Sequence, residues 1–479
     1  MVSVPTRGDK ILDLVLVDDI SFVSEALVTD PFLDSDHNSV TVYLTFEKAN
    51  NVRRSGGRND AFDFSKADWI SYERKLSLAN INDIFDSEDV DTIWQKIRNL
   101  IKDAASDSIP RRKNSKFLSG APLEGEVLRA FRARKKIRRH TKSSTSSWSR
   151  DLRERADKHL SLAIRNSRIS FEKKIATSCK TNVKGFWKLV RASLANRPSV
   201  SRVFSPSGSL SLSDADTAEY FNNFFVSVFT REDSHVPPFP ARTEHKLCNV
   251  DISFDVVAKV VRSLPANSAP GPDGITYQMI KEGGATLIEI MCRLFCMLVT
   301  KGVLPSEWKL AYVVPQSTKK GSRARCDNYR PISLTCSVCK ILEVILKKTI
   351  LNFFLDNRLL NFSQHGFLPQ RSSSTALLAY LEDVTLSVDE GKNVDAIYLD
   401  LSKAFDSVPH LRLIKKLKGY GIGEPLITWL SAFLMNRQQF VKIGDSLSRL
   451  VDVVSGVPQG SILGPLLQSW KKILARSIR

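Results

Sequence analysis

The feature that most limits what this chain can fold into is where its charge sits. Residues 111–200 carry 25 Lys/Arg against 6 Asp/Glu, which equals the +19 excess of the whole 479-residue chain, so the remainder is charge-balanced. A stretch this cationic repels itself and is poor material for a large apolar core, so it separates regions that can build one. With 42% hydrophobic residues the chain has enough apolar material for sizeable cores and for more than one domain. The local positive excess points to a polyanionic partner, nucleic acid first and an anionic membrane surface second.

Several classes fall away early. The start, MVSVPTRGDKILDL, has neither the apolar core and small-residue cleavage site of a signal peptide nor the character of a transit peptide. The chain therefore reads as intracellular, nuclear and/or cytoplasmic, and not secreted. Its most apolar helical stretch, Leu287–Val299, is broken by Glu289 and Arg293, short of the roughly 20 apolar residues a membrane span needs. Seven cysteines are too sparse for a disulfide scaffold. Cys336 and Cys339 have metal-like spacing but no second pair nearby, and Cys292 and Cys296 sit at helical spacing among apolar residues. All four read as small buried side chains.

Periodicity organises the rest. Residues 1–46 read as β structure, with Ile11–Val17 an apolar run and Val40–Phe46 alternating around the loop Ser35-Asp36-His37-Asn38. A polar stretch with paired glycines at 47–60 marks a boundary. From about 61 to 200 the pattern is helical and increasingly basic, interrupted by Ser/Thr at 141–149, and 198–213 reads as a Pro/Ser linker. The texture then becomes mixed: a helix capped near Ser213 and running to Phe229, a clear helix over Ser337–Asn357, a strand at Asn393–Leu401 and part of another at Val451–Val454. Helices alternating with non-adjacent strands predict an α+β layer fold.

Asp400 stands near the end of the apolar run Ala396-Ile-Tyr-Leu-Asp-Leu401. A carboxylate there is costly to bury without a compensating cation. Taken alone it is equally a metal ligand, since Mg²⁺ prefers hard oxygen donors, or a cap for a helix starting near Ser402. Its company decides. Tyr398-Leu-Asp-Leu-Ser-Lys-Ala-Phe-Asp-Ser-Val-Pro-His410 and Ser455-Gly-Val-Pro-Gln-Gly-Ser-Ile-Leu-Gly-Pro465 resemble motifs A and B of reverse transcriptases. Ser268-Ala-Pro-Gly-Pro-Asp-Gly-Ile275, Asn328-Tyr-Arg-Pro-Ile-Ser-Leu334 and Gln364-His-Gly-Phe367 are similar to blocks of their fingers. Five blocks in order resemble the reverse transcriptase of non-long-terminal-repeat (LINE-type) retrotransposons.

The resemblance implies roles. Asp400 would bind the catalytic Mg²⁺, and Phe405 would exclude a ribose 2′-hydroxyl. Arg330 would contact the triphosphate, where a planar bidentate donor suits phosphate oxygens. Gln459 and Gly460 would line the nucleotide pocket. The family lysine after the fingers proline is one residue out of place, which leaves the triphosphate role between Lys319 and Lys320. The implied partners are an RNA template, a DNA target or primer, and deoxynucleotides, with no membrane.

A larger departure is that the family's aromatic-x-Asp-Asp segment does not follow motif B; no Asp or Glu occurs after Asp452. Two-metal phosphoryl transfer holds ions roughly 3.5–4 Å apart and needs several carboxylates. The expectation is an incomplete right-hand polymerase, fingers and partial palm over 214–467, catalytically inactive at this length. Residues 468–479 would be an unrelated tail after a frameshift, splice change or incomplete gene model.

Asp13 in its apolar run and the Ser35-Asp36-His37 turn resemble the end of the apurinic-type endonuclease domain that precedes such polymerases. The resemblance implies that His37 would engage a scissile phosphate, with a carboxylate fixing its tautomer. Residues 1–46 would be a short β remnant of that α/β sandwich, without nicking activity. Residues 47–213 would be a helical basic connecting region and linker. There Arg132, Arg134, Lys135, Lys136, Arg138 and Arg139 form a dense cationic run with aromatics such as Trp148, Phe171, Phe186 and Trp187 beyond it. That run reads as a nucleic-acid contact or as a solvated helical face. Two functions remain open: a polymerase by descent, and a non-catalytic nucleic-acid-binding remnant using 111–200.

Overall fold

The computed structural model describes residues 5–7, 9–11, 23–31, 37–44, 62–111, 125–141, 146–177, 200, 202–205, 208–232, 235–265, 268–318, 321–361, 363–400 and 403–472, with backbone alone at 23–24, 44, 175–176 and 469–472. It divides into two compact units, residues 1–60 and 61–479. In the first, β1 (Val23–Pro31) and β2 (Asn38–Leu44) pair antiparallel, with Val28 opposite Val40. The alternation at Val40-Thr-Val-Tyr accounts for β2. Of the other expected strand, only Ile11 lies among the described residues.

The second unit opens with α1 (Trp69–Ser77), α2 (Ile81–Ile84) and α3 (Val90–Ser108). The Asp68 and Asp89 carboxylates cap α1 and α3 by accepting first-turn N–H groups. Tyr72, Leu76, Ile93, Trp94, Ile97 and Ile101 are buried in the largest core of the chain. Trp94 meets Trp308 edge to face at 5.2 Å, and Glu307 accepts hydrogen bonds from the Trp94 indole and the Arg98 guanidinium. Within the stretch 47–213, residues 69–108 thus differ from the basic helices after them. The charge excess begins only at 111, and the apolar stripe of α3 finds its partner in the core that follows.

Next, α4 (Gly125–His140) and α5 (Ser147–Thr177) form a helical hairpin closed on Val127, Ala130, Leu160 and Ala163. Their break falls in the Ser/Thr-rich stretch; Phe186 and Trp187 lie outside the described residues. The expected linker at 198–213 is, where described, pinned. Val203 is fully buried, its N–H donates to Ser211 Oγ at 3.1 Å, and the Phe204 N–H donates to Ala324 O at 2.8 Å. Hydroxyls that a linker would turn to water here satisfy backbone groups instead.

Then come α6 (Asp214–Ser227), whose Ser213 and Asp216 form a capping box, α7 (Phe254–Ser263), α8 (Tyr277–Lys281) and α9 (Gly284–Lys301). Strands β3 (Leu310–Ser317) and β4 (Tyr329–Leu334) precede α10 (Ser337–Asp356), α11 (Ser373–Asp389), α12 (His410–Gly419) and α13 (Leu426–Leu434). The described chain closes with β5 (Arg437–Ile443), β6 (Ser446–Leu447), β7 (Val451–Val453) and α14 (Gly464–Lys472). The sheet runs β4-β3-β5-β6; β3 is antiparallel to β4 and parallel to β5, and β7 lies antiparallel on β5. Phe221 and Phe225 of α6 pack with Val313 and Val441 of the sheet. A mixed helix-and-sheet architecture carries the α+β expectation.

Two details differ from expectation. Cys336 and Cys339 are buried, but Cys292 is half-buried and Cys296 exposed, because one helical turn on α9 carries them to the rim of its apolar face. Residues 468–472 continue α14, and Gln468 is buried, so the start of the supposed tail belongs to the fold. Among the described residues no helix is long and apolar enough to cross a membrane.

Candidate functional site

Three sequence blocks meet at one end of β4. The Ser333 N–H donates to Gln459 O at 2.7 Å, so the Ser455–Pro465 segment continues the hydrogen bonding of β4. The same segment grips residues 405–408: Gly456 N–H donates to Val408 O at 2.8 Å, Val457 N–H to Phe405 O at 2.9 Å, and Ser455 Oγ to Asp406 O at 2.7 Å. The buried His410 donates from Nε2 to Gly456 O at 2.6 Å, and burial holds its pKa below the ordinary value. Two glycines make this approach possible. At Gly456 (φ 90°) a Cβ would sit 2.8 Å from the Phe405 and Asp406 carbonyl oxygens, and at Gly460 (φ 132°) one would sit 2.5 Å from Ser333 O.

The segment is also held from below. Glu343 of α10 is fully buried, and its Oε2 accepts N–H groups from Ile462 at 2.7 Å and Leu463 at 3.1 Å, just before α14. Burial raises its pKa, and the two amides and the cations Lys340 and Arg437 oppose that rise. Arg437, itself buried, donates to Phe433 O at 3.0 Å and Trp308 O at 3.2 Å. Upstream, the Ala269-Pro-Gly-Pro-Asp-Gly274 loop is wedged against the start of α10. A Cβ on Gly271 would meet Thr335 O at 2.5 Å, and Asp273 is fully buried with its pKa pushed up to about 6 by desolvation. Sequence reasoning missed Glu343, Arg437, Asp273 and Ser455. A signal existed for the first, a carboxylate amid the apolar positions Ile341, Leu342, Ile345 and Leu346.

Gln459 lines a cleft shared with Pro331, Ser333, Asp406, Gln439 and Arg437, of about 30 Å³. That volume suits one water and excludes a nucleotide. Burial pushes the Asp406 carboxyl there up to about 6, with Lys403 opposing. Phe405 is half-buried against the main core, Gly460 is exposed, and Arg330 stands exposed on β4 opposite Gln316. Lys319 and Lys320 lie outside the described residues.

Asp400 departs from expectation. Residues 393–400 carry no secondary structure and form no strand pairing among the described residues, and Ile397, Tyr398 and Leu399 are 81–88% exposed. An apolar run of strand type becomes a strand only where a neighbour takes its backbone hydrogen bonds, and β4, β3 and β5 pair elsewhere. Asp400 is exposed, away from a low-dielectric site. The adjacent α11 is likewise without a buried residue, and its Tyr380 hydroxyl accepts from Tyr398 at 3.0 Å. Among the described residues no group of three or more His, Cys, Asp or Glu converges to hold an ion, so these residues do not fit a two-ion magnesium site.

In the basic hairpin, Arg134 and Arg138 both donate to Asp157 of α5, the latter at 2.8 Å, which makes them clamps of the hairpin. Arg132, Lys135, Lys136 and Arg139 face solvent. In the first unit His37 is described, whereas Asp13 and Asp36 lie outside the described residues.

Residues 317–470, spanning this site, match the reverse transcriptase (RNA-dependent DNA polymerase) family, so the chain carries a reverse transcriptase domain. The relatives it is similar to include RNA-directed DNA polymerases of transposable elements. It is 26% identical to the probable RNA-directed DNA polymerase from transposon BS of Drosophila melanogaster over 84% of this chain and 46% of that protein. It is 22% identical to the RNA-directed DNA polymerase from mobile element jockey of the same species over 91% and 49%. With the Pol polyprotein from type-1 retrotransposable element R1 of Bradysia coprophila it shares 30% identity over 47% and 22%. The chain spans just under half the length of the first two relatives.

Proposed function

We propose that this polypeptide is the fingers and partial palm of a retrotransposon RNA-directed DNA polymerase, joined to a basic helical hairpin and to the end of an apurinic-type endonuclease domain that holds Asp13, Asp36 and His37. The observation that carries the reading is the Ser333–Gln459 backbone bond together with the Gly456 contact to Phe405 and Asp406. Three blocks distant in sequence meet at one place. Arg330, exposed beside it, would meet phosphate oxygens, with Lys319 or Lys320 nearby in sequence; Phe405 and Gly460 would shape the sugar side.

Reverse transcriptases use divalent metal ions, but Asp400 is exposed and, among the described residues, no group of three or more His, Cys, Asp or Glu converges with it to hold one. Because no aromatic-x-Asp-Asp occurs in the 479 residues, the polypeptide by itself binds template and primer and does not extend them. The test is primer extension with oligo(dT) on poly(A) in Mg²⁺, run beside an RNA-binding titration. Salt-sensitive binding without incorporation is expected. Incorporation that disappears in Asp400→Asn would overturn the inactive reading.

The second reading, a non-catalytic nucleic-acid-binding remnant using residues 111–200, is favoured by one observation: the exposed face of α4 presents four cations not tied to Asp157.

A further inference from the structure

A cavity of about 470 Å³ lies between the segment 236–239 and α12, apart from the Ser333–Gln459 junction. That is within the range of small-ligand sites, roughly 300–1,000 Å³. Its walls are Pro237, Pro238, Phe239, Val408 and Leu413, and they are stiff. The two prolines fix the backbone, and Phe239 is stacked on Tyr420 with centroids 5.7 Å apart and planes 25° from parallel. The walls cannot relax inward to close the space.

The charged groups of the lining are of one sign, beside the neutral hydroxyl residues Thr230 and Ser407. Arg412, Lys415 and Lys416 of α12 line the cavity. Lys415 Nζ is tethered to Val236 O at 2.9 Å. Lys416 is only 3% exposed and holds its ammonium 5.6 Å from the Phe239 ring centre, whose other visitor is the Arg242 guanidinium at 5.7 Å. Burial and Arg242 together push the Lys416 pKa down to about 8. Glu232 is committed to the helix start, accepting the Leu411 N–H at 2.8 Å and the Arg412 N–H at 3.2 Å. Arg412 is exposed at the mouth. An apolar cavity walled by the Phe239 ring and two prolines, with its cations along α12, is complementary to a ligand with a planar apolar body and a negative end.

We propose that this cavity binds a small planar anion, an aromatic ring system of mononucleotide size or less with its anionic group against Arg412 and the α12 lysines. Naphthalene-2-sulfonate, titrated calorimetrically into the 479-residue chain, is expected to bind at one saturable site. Arg412→Glu should weaken it about tenfold or more, the loss of a charge-assisted contact. Pro238→Trp, at an exposed wall position, should fill the slot and abolish binding. Both substitutions are on the surface, and an unchanged thermal melt identifies them as folded. Deoxyadenosine monophosphate as competitor separates the two sources of this chemistry: displacement indicates a nucleotide, and no displacement an aromatic acid of another kind. Absence of saturable binding, or binding that survives Pro238→Trp and falls instead with Leu378→Ser on the exposed face of α11, would overturn the proposal.

Discussion

The Ser333 amide and the Gln459 carbonyl are joined at 2.7 Å, and Gly460, the next residue, has no room for a side chain beneath Ser333 O. The turn therefore depends on glycine twice, for a φ of 132° and for the close approach. Gly460→Ala is expected to destabilise the chain by roughly 1–3 kcal/mol. It should also raise the exchange rate of the Ser333 amide. Denaturant unfolding and hydrogen exchange read both, and an unperturbed Ser333 amide would show that the contact is not what holds the turn.

Glu343 presents a different balance, because its charge is costly to bury while its oxygen is needed. Glu343→Leu leaves the Ile462 and Leu463 N–H groups without their acceptor, a loss of roughly 2–4 kcal/mol. Glu343→Gln keeps a carbonyl acceptor and removes the buried charge, so its stability at pH 7 should lie within about 1 kcal/mol of the parent. Equal losses for the two variants would mean that the carboxylate charge, and not hydrogen bonding, fixes the segment.

Asp273 makes stability pH-dependent in a stated direction. Its pKa rises from 3.8 to about 6 on folding, so between those values the folded chain binds the proton more tightly than the unfolded chain. Stability contributed by this group is full below about pH 4 and falls as pH rises through about 6. At pH 7 the deficit is on the order of 3 kcal/mol. Asp273→Asn, which keeps an oxygen for the Ile275 N–H, should stabilise the chain at pH 7 and have little effect at pH 4. Urea midpoints across this range measure it; a variant equally destabilised at both pH values would place the carboxylate in a compensated environment.

How much of this was legible in the sequence follows from which forces are local. The helix at 337–356 was readable because its apolar spacing and its burial coincide, and the Ser213 cap because a side chain and its amide lie three residues apart. The strand expected at 393–401 was not secured by the same kind of signal, since β pairing depends on a distant neighbour that Ile397 and Leu399 do not have among the described residues. Of the site, Phe405, Gln459 and Gly460 were marked by motif; the Phe405 carbonyl meets Val457, and Gln459 and Gly460 meet Ser333. Glu343 was a charge in an apolar stretch, whereas Asp273 in its Pro-Gly turn and Arg437 beside Asn436 and Gln438 carried no such mark, and their burial shows only once the packing is known.

The last prediction concerns the basic hairpin, where six cations divide by their partners. Arg134 and Arg138 share Asp157, which holds the Asp157 carboxyl below the usual range. Replacing both with alanine should loosen α4 from α5, read as lost helical signal on heating. Arg132, Lys135, Lys136 and Arg139 are exposed, and reversing them to glutamate should leave that melt unchanged. If these four meet phosphates, single-stranded RNA affinity falls and the slope of log K against log salt flattens by about 0.7 per contact removed, up to about 3 for all four. A slope that does not change while the melt is preserved would assign the α4 surface to solvent and move RNA binding to another part of the chain.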